Sequence, residues 1–274
     1  MKNDSKGSFK KIALISSPWP IYNRPSIQIG TLKAYLRSQF PELKITAHHF
    51  YLKVSETIGY RRYKTISERT WRAEAVYAAL LYPERIDRIE KLFYQKTVGN
   101  KRARAINFKT LIKQVKEVTK EFIEQVPWGD FGLVGFSISL CQLTASIYCI
   151  LQIKKRFPDL VIVVGGSMFE KDSISNLFEM FPEIDVVVIG EGELPLSRLI
   201  HYLQTSQNLN KIPFIPGTLI QNSEDRSTSS DFNQMKSLTR LIPPDYDDYF
   251  DLLKTFNPDK SFFPVLPVEV SRGC

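Results

Sequence analysis

A doubly wound α/β fold, with a mostly parallel sheet covered by helices on both faces, is predicted by three features of the stretch from Phe131 to Glu193. First, Leu133–Phe136, Leu160–Val164 and Ile184–Ile189 are uninterrupted apolar segments rich in β-branched residues, the pattern of strands buried on both faces. Second, helical runs separate them, as parallel crossovers require. Third, each segment ends in small residues: Ser137-Ile138-Ser139, Gly165-Gly166-Ser167 and Gly190-Glu191-Gly192. Those endings fall at the carboxyl edge, where open α/β sheets bind ligands, so a large ligand is expected to lie across that edge.

The remaining elements follow in chain order. Lys11–Ser16 (KIALIS) reads as the first buried strand, and it runs into a proline-rich loop, Ser16-Ser17-Pro18-Trp19-Pro20 through Tyr22 to Ser26, unsuited to helix or ladder. From Ser26, a candidate N-cap, Ile29, Leu32, Leu36 and Phe40 fall at helical spacing, and Pro41 ends the helix. Leu43–Tyr51 alternates as a second strand. Between Val54 and Val126 three stretches of helical periodicity interrupt the βαβ rhythm, which predicts a helical insertion whose aromatics, Trp71 and Tyr60, Tyr63, Tyr77 and Tyr82, pack its own core. Leu194–Leu203 reads as a helix opened by GEGE and Gly217–Gln221 as a strand or hairpin. Residues 237–267 have the composition of an ordered connector, and 268–274 begin a new apolar strand.

Composition narrows the function classes. With 43% hydrophobic and 24% charged residues, the 274-residue chain has an ordinary globular balance. No apolar run reaches the ~20 residues that cross a bilayer, and the N-terminus lacks a signal-peptide core, so a cytoplasmic protein is expected. Cys141, Cys149 and Cys274 form no C-x-x-C pair, and the first two are expected to pack in a helix. The net charge of +8 is concentrated: between Lys53 and Lys120 seventeen Lys or Arg face seven Asp or Glu. Nucleic acid, an acidic peptide or an anionic surface could use that excess, or it forms a solvated helical face. Without G-x-G-x-x-G after the first strand, a nicotinamide enzyme is disfavoured. Without an acidic pair there, a phosphoacceptor receiver domain is disfavoured too.

The closing segment Val268-Glu269-Val270-Ser271-Arg272-Gly273-Cys274 resembles the first barrel strand and first cluster cysteine of the radical S-adenosylmethionine (SAM) superfamily. With the strand-end glycines, the chain resembles the amino-terminal part of cobalamin-dependent radical SAM enzymes. Its opening PWPIYNRPSIQIGTLKAYL is similar to the subfamily of maturases and C-methyltransferases of ribosomally made peptides. The resemblance implies a Rossmann-like cobalamin-binding domain over residues 11–205 after a tail of 1–10, with 54–126 as a basic helical insertion. A hairpin and connector over 206–267 and the start of a radical SAM barrel at 268–274 would follow.

It further implies that the corrinoid lies over the carboxyl edge with its nucleotide tail sunk beside the strands. Ser137 and Ser139 would hydrogen-bond the tail, Gly165 and Gly166 would flank it, and Gly190, Glu191 and Gly192 would line the other wall. Ser16, Ser17, Pro18, Trp19 and Tyr22 would pass beneath or beside the ring, with Trp19 or Tyr22 covering its lower face. The loop has no histidine, and His48, His49 and His201 read as packed or surface residues, so no histidine ligand to cobalt is expected. Cys274 would be one ligand of a [4Fe-4S] cluster, which with SAM belongs to a full-length enzyme, because one thiolate cannot hold a four-iron cluster. The implied partners are cobalamin, a ribosomally made precursor peptide and a radical SAM barrel, with nucleic acid and membrane disfavoured. Two readings remain beside this one: a corrinoid carrier without catalysis, and a peptide- or nucleic-acid-binding protein that uses the basic insertion.

Overall fold

The computed structural model describes residues 9–95, 100–169, 176–206, 209, 212–221, 242–257 and 262–270. Strands β1 (Lys11–Ser16), β2 (Lys44–His49), β3 (Leu133–Ser137), β4 (Val161–Gly165), β5 (Val186–Val188) and β6 (Thr218–Ile220) form one sheet in the order β2-β1-β3-β4-β5-β6. The first five are parallel and β6 is antiparallel to β5. The register aligns Ser16 with Ser137, Ser137 with Gly165 and Gly165 with Val188, so the small residues at the strand ends share one rim. The doubly wound α/β class is the fold found.

Among the described residues eleven α-helices surround the sheet: α1 (Ile27–Gln39), α2 (Phe50–Ile58), α3 (Tyr60–Ser67), α4 (Thr70–Leu81), α5 (Ile86–Phe93), α6 (Lys101–Arg104), α7 (Phe108–Gln125), α8 (Leu143–Arg156), α9 (Leu177–Met180), α10 (Glu193–Ser206) and α11 (Asp247–Lys254). Because side chains alternate across a strand, Ile12, Leu14, Leu133, Val163 and Val188 face one way, into a core shared with Ile29 and Leu36 of α1 and Leu196, Leu199 and Ile200 of α10. Ala13, Ile15, Val134, Phe136 and Val164 face the other way, into the larger core built by α2 to α5, α7 and α8. No helix among the described residues is long and apolar enough to cross a membrane.

The stretch between β2 and β3 is more intimate with the sheet than the word insertion suggests. Its helices α2 to α7 form the crossover layer itself. The buried stripe of α7, Leu111, Val115, Val118 and Phe122, points inward, and Asn107 caps its start by accepting the Thr110 N–H at 2.9 Å. Glu74 of α4 then reaches α8, where its carboxylate accepts the backbone N–H groups of Leu143 (3.1 Å) and Thr144 (2.8 Å). A helix N-terminus welcomes such a negative charge. Tyr63 and Tyr77 are fully buried, as expected of core aromatics, whereas Trp71 is only partly buried and Tyr82 is 43% exposed.

Several boundaries depart from the sequence pattern. The second strand stops at His49 because Phe50 stacks on Phe122 at 4.3 Å, which draws Phe50 and Tyr51 into α2. Ser26 holds the N-cap position of α1 without capping it, since its hydroxyl turns to Gln28 Oε1. Cys149 is buried in α8, but Cys141 precedes that helix with φ of 72°. The connector contains a helix, α11, whose start is fixed when the Asp245 carboxylate accepts the Asp247 N–H at 3.1 Å. Residues 268–270, read from the sequence as the start of a strand, join no ladder among the described residues.

The connector is clamped to the sheet edge. Lys33 of α1, its side chain 6% exposed, donates to Asp245 at 3.1 Å and Asp248 at 2.7 Å, Arg37 also pairs with Asp245, and Asp248 accepts the Ala47 N–H of the edge strand β2. Burial works to raise the Asp245 carboxyl, but hydrogen bonds from Lys33, from the Asp247 N–H and from Arg37, with the Lys33 charge, hold it below the usual carboxylate range. Lys33→Met is expected to cost about 1–2 kcal/mol in urea unfolding, less than a fully buried pair because both aspartates keep a second donor. An unchanged midpoint would show that the clamp carries no stability.

Two histidines give the fold an acid limit. His48 and His49 are pushed down to about 4 and about 3, chiefly by burial, which disfavours the charged ring. The unfolded chain binds protons near pH 6.5 that the folded chain refuses, so stability is full above that value and falls as pH drops towards those lower ones. By about pH 5.5, before most carboxylates titrate, the loss should be roughly 1 kcal/mol per histidine. A His48→Asn/His49→Asn protein should lose that slope; an identical urea-midpoint profile in both proteins would count against this origin.

Candidate cofactor cavity at the carboxyl edge

A cavity of about 280 Å³ opens at the carboxyl ends of β3, β4 and β5, between the sheet and the α1–α10 layer. Its floor is the Leu14, Val163 and Val188 side chains together with the bare backbone of Gly135 in the middle of β3. Ile27, Gln28, Thr31 and Leu32 wall one side from α1, and Glu193 with Leu196 wall the other from α10. Glu191 and Glu269 join Glu193 along the lining. The apolar floor suits an uncharged ring.

Glycine does two different jobs here. Gly135 and Gly192 leave room: a methyl group on either would press only on flexible tips, Leu14 Cδ2 at 3.1 Å and Leu32 Cδ2 at 3.2 Å. Gly166 is required by the backbone, with φ of 115° and a position where an added Cβ would sit 2.3 Å from the Ile138 carbonyl oxygen.

Six of the residues singled out in the sequence come together on this cavity: Ser137, Gly165, Gly166, Gly190, Glu191 and Gly192. The others lie elsewhere. Ser16 and Ser17 are buried beneath the rim, where Gln142 Nε2 donates to Ser16 Oγ at 3.2 Å and to the Ser17 carbonyl at 2.6 Å. Ser139 gives both its N–H and its hydroxyl to Gln142 Oε1, at 3.0 and 2.5 Å, and does not line the cavity. Pro18 is buried. Trp19 is 3% exposed, its ring centroid 5.0 Å from that of Tyr63, so it points down into the larger core instead of covering the edge. Tyr22 stacks on Tyr60 at 4.8 Å with Phe262 edge-on at 5.1 Å. Cys274 lies outside the described residues, among which no cluster of three or more His, Cys, Asp or Glu could hold a metal.

The loop after β1 is held from below. The hydroxyls of Tyr63, Tyr249 and Tyr51 donate to the carbonyls of Pro20 (2.8 Å), Tyr22 (3.1 Å) and Arg24 (2.6 Å). His49 is enclosed beside them, where its Nδ1 accepts the Ser26 N–H at 3.4 Å. Sequence reasoning missed Gly135 and Gln142. A glycine inside the strand LVGFS is a sign of close approach that passed as ordinary strand composition, whereas nothing in the sequence marks Gln142 as the tie between two rim loops.

No family model matches the chain. Over 84 residues, 31% of its length, the chain is 36% identical to the anaerobic magnesium-protoporphyrin IX monomethyl ester cyclase of Synechocystis sp. (strain ATCC 27184 / PCC 6803 / Kazusa). The matched stretch spans 15% of that cyclase's length.

Proposed function

We propose that this chain is the cobalamin-binding portion of a radical SAM peptide-maturation C-methyltransferase. The observation that carries the reading is the glycine-lined cavity at the carboxyl edge, where Gly135, Gly165, Gly166, Gly190 and Gly192 line one largely apolar space and Gly135 and Gly192 leave it room. A cavity of about 280 Å³ suits the uncharged aromatic end of a nucleotide tail and not a whole corrinoid, whose ring would rest outside on the rim. The partial similarity to the cyclase is compatible, at a coarse level, with the cobalamin and radical SAM group that the sequence resembles.

In this reading the chain's residues bind and orient. Leu14, Val163, Val188 and Leu196 exclude water from the tail, and Ser137 supplies a hydroxyl at the rim. Gln142, by holding Ser16, Ser17 and Ser139, fixes the two loops on which the ring would sit. Bound methylcobalamin supplies a transferable methyl group. A [4Fe-4S] cluster, with Cys274 as one ligand, and SAM would supply the radical chemistry of the complete enzyme. Incubation with hydroxocobalamin followed by desalting should leave the protein coloured at close to one corrinoid per chain. A folded, colourless product would overturn the proposal.

A further inference from the structure

Three adjoining helices of the α2–α7 layer carry a concentration of exposed cations. Helix α6 packs against α3, and Arg62 Nη1 of α3 donates to Gln114 Oε1 of α7 at 2.8 Å, so the three helices adjoin. Arg61, Arg62 and Lys64 of α3 and Lys101, Arg102 and Arg104 of α6 are all exposed. Lys109 and Lys113 of α7 are exposed as well. Among the described residues none of these cations has an acidic side chain within ion-pair distance, unlike Lys11, Lys33, Lys154 and Lys254, which are all paired. Leaving like charges side by side has a cost that a bound anion would relieve.

A groove of about 440 Å³ runs between α3 and α6, lined by Thr65, Glu68, Asn100, Lys101 and Arg102. Its composition discriminates between anionic partners. Glu68 would repel a continuous phosphate backbone, yet it can accept N–H groups of an extended peptide while the flanking cations hold that peptide's carboxylates. Of the aromatics of these helices, Tyr63, Phe108 and Phe122 are buried, and the partly exposed Tyr60 is already stacked on Tyr22 with Phe262 edge-on, so no free platform is offered to stacked bases.

We infer that the α3–α6–α7 face is a docking surface for an acidic peptide segment. The inference takes the existence of a peptide partner from the proposed function and its placement from the charge and groove described here. The test is fluorescence anisotropy with the intact chain and a labelled Glu/Gly peptide, beside single-stranded and duplex DNA of matched length, over a range of salt concentrations. The peptide should bind with an affinity that falls as salt rises, and Lys101→Glu/Arg102→Glu/Arg104→Glu should weaken it about tenfold or more, ~1.4 kcal/mol. Hydroxocobalamin retention in that variant should be unchanged. Peptide binding that is absent or insensitive to the substitutions, or DNA binding tighter than the peptide's, would overturn the inference. Because pigment retention is read separately, a protein that binds peptide but no corrinoid would sink the proposed function and leave this surface standing.

Discussion

Gly135→Val should reduce hydroxocobalamin retention at least about 100-fold while leaving the fold intact. The added isopropyl group would occupy the cavity floor, where its first carbon meets only the tip of Leu14 at 3.1 Å. A flexible tip can move aside, and valine suits a strand, so the stability change should stay within roughly 1.5 kcal/mol. A loss of ~3 kcal/mol in binding corresponds to that affinity change. Gly135→Ala should fall between the two proteins. If the valine protein retains pigment like the parent, the ligand does not enter this cavity.

Gly166→Ala should have the opposite profile, a fold defect of roughly 3–5 kcal/mol by urea unfolding. The strain of a positive φ and a collision with the rigid Ile138 carbonyl at 2.3 Å both fall on the folded state. Gly192→Ala is the matched control, because its new methyl faces only Leu32 Cδ2 at 3.2 Å and should cost less than about 1 kcal/mol. Equal stabilities for the two variants would show that the Gly166 turn relaxes easily. Together with Gly135→Val, the series separates glycines that keep space open from a glycine that makes a turn.

Those two roles show where sequence reading succeeds. Uninterrupted runs such as VIVVG and IDVVVIG leave little choice but buried parallel strands, and small residues at their ends located the rim to within a residue or two. Six of the residues chosen on that basis share the cavity. The β1 loop was harder. Ser16, Ser17 and Trp19 sit in a segment whose sequence says only that it is neither helix nor strand, and their inward orientation is set by partners far along the chain: Gln142, Tyr63 and Tyr249. Phe50 and Tyr51 continue an alternating pattern, but stacking on Phe122 overrides it. Long-range contacts of this kind leave no local periodicity to read. The helical region was recognisable as helical, yet its role as the sheet's crossover layer depends on where its stripe points, which only packing reveals.

Tyr63 lies on α3 between Arg62 and Lys64, and its hydroxyl donates to the Pro20 carbonyl in the loop after β1. One short rod therefore carries charge at its outer side and a tether at its inner side. Tyr63 thereby fastens the helix that carries these cations to the loop that follows β1.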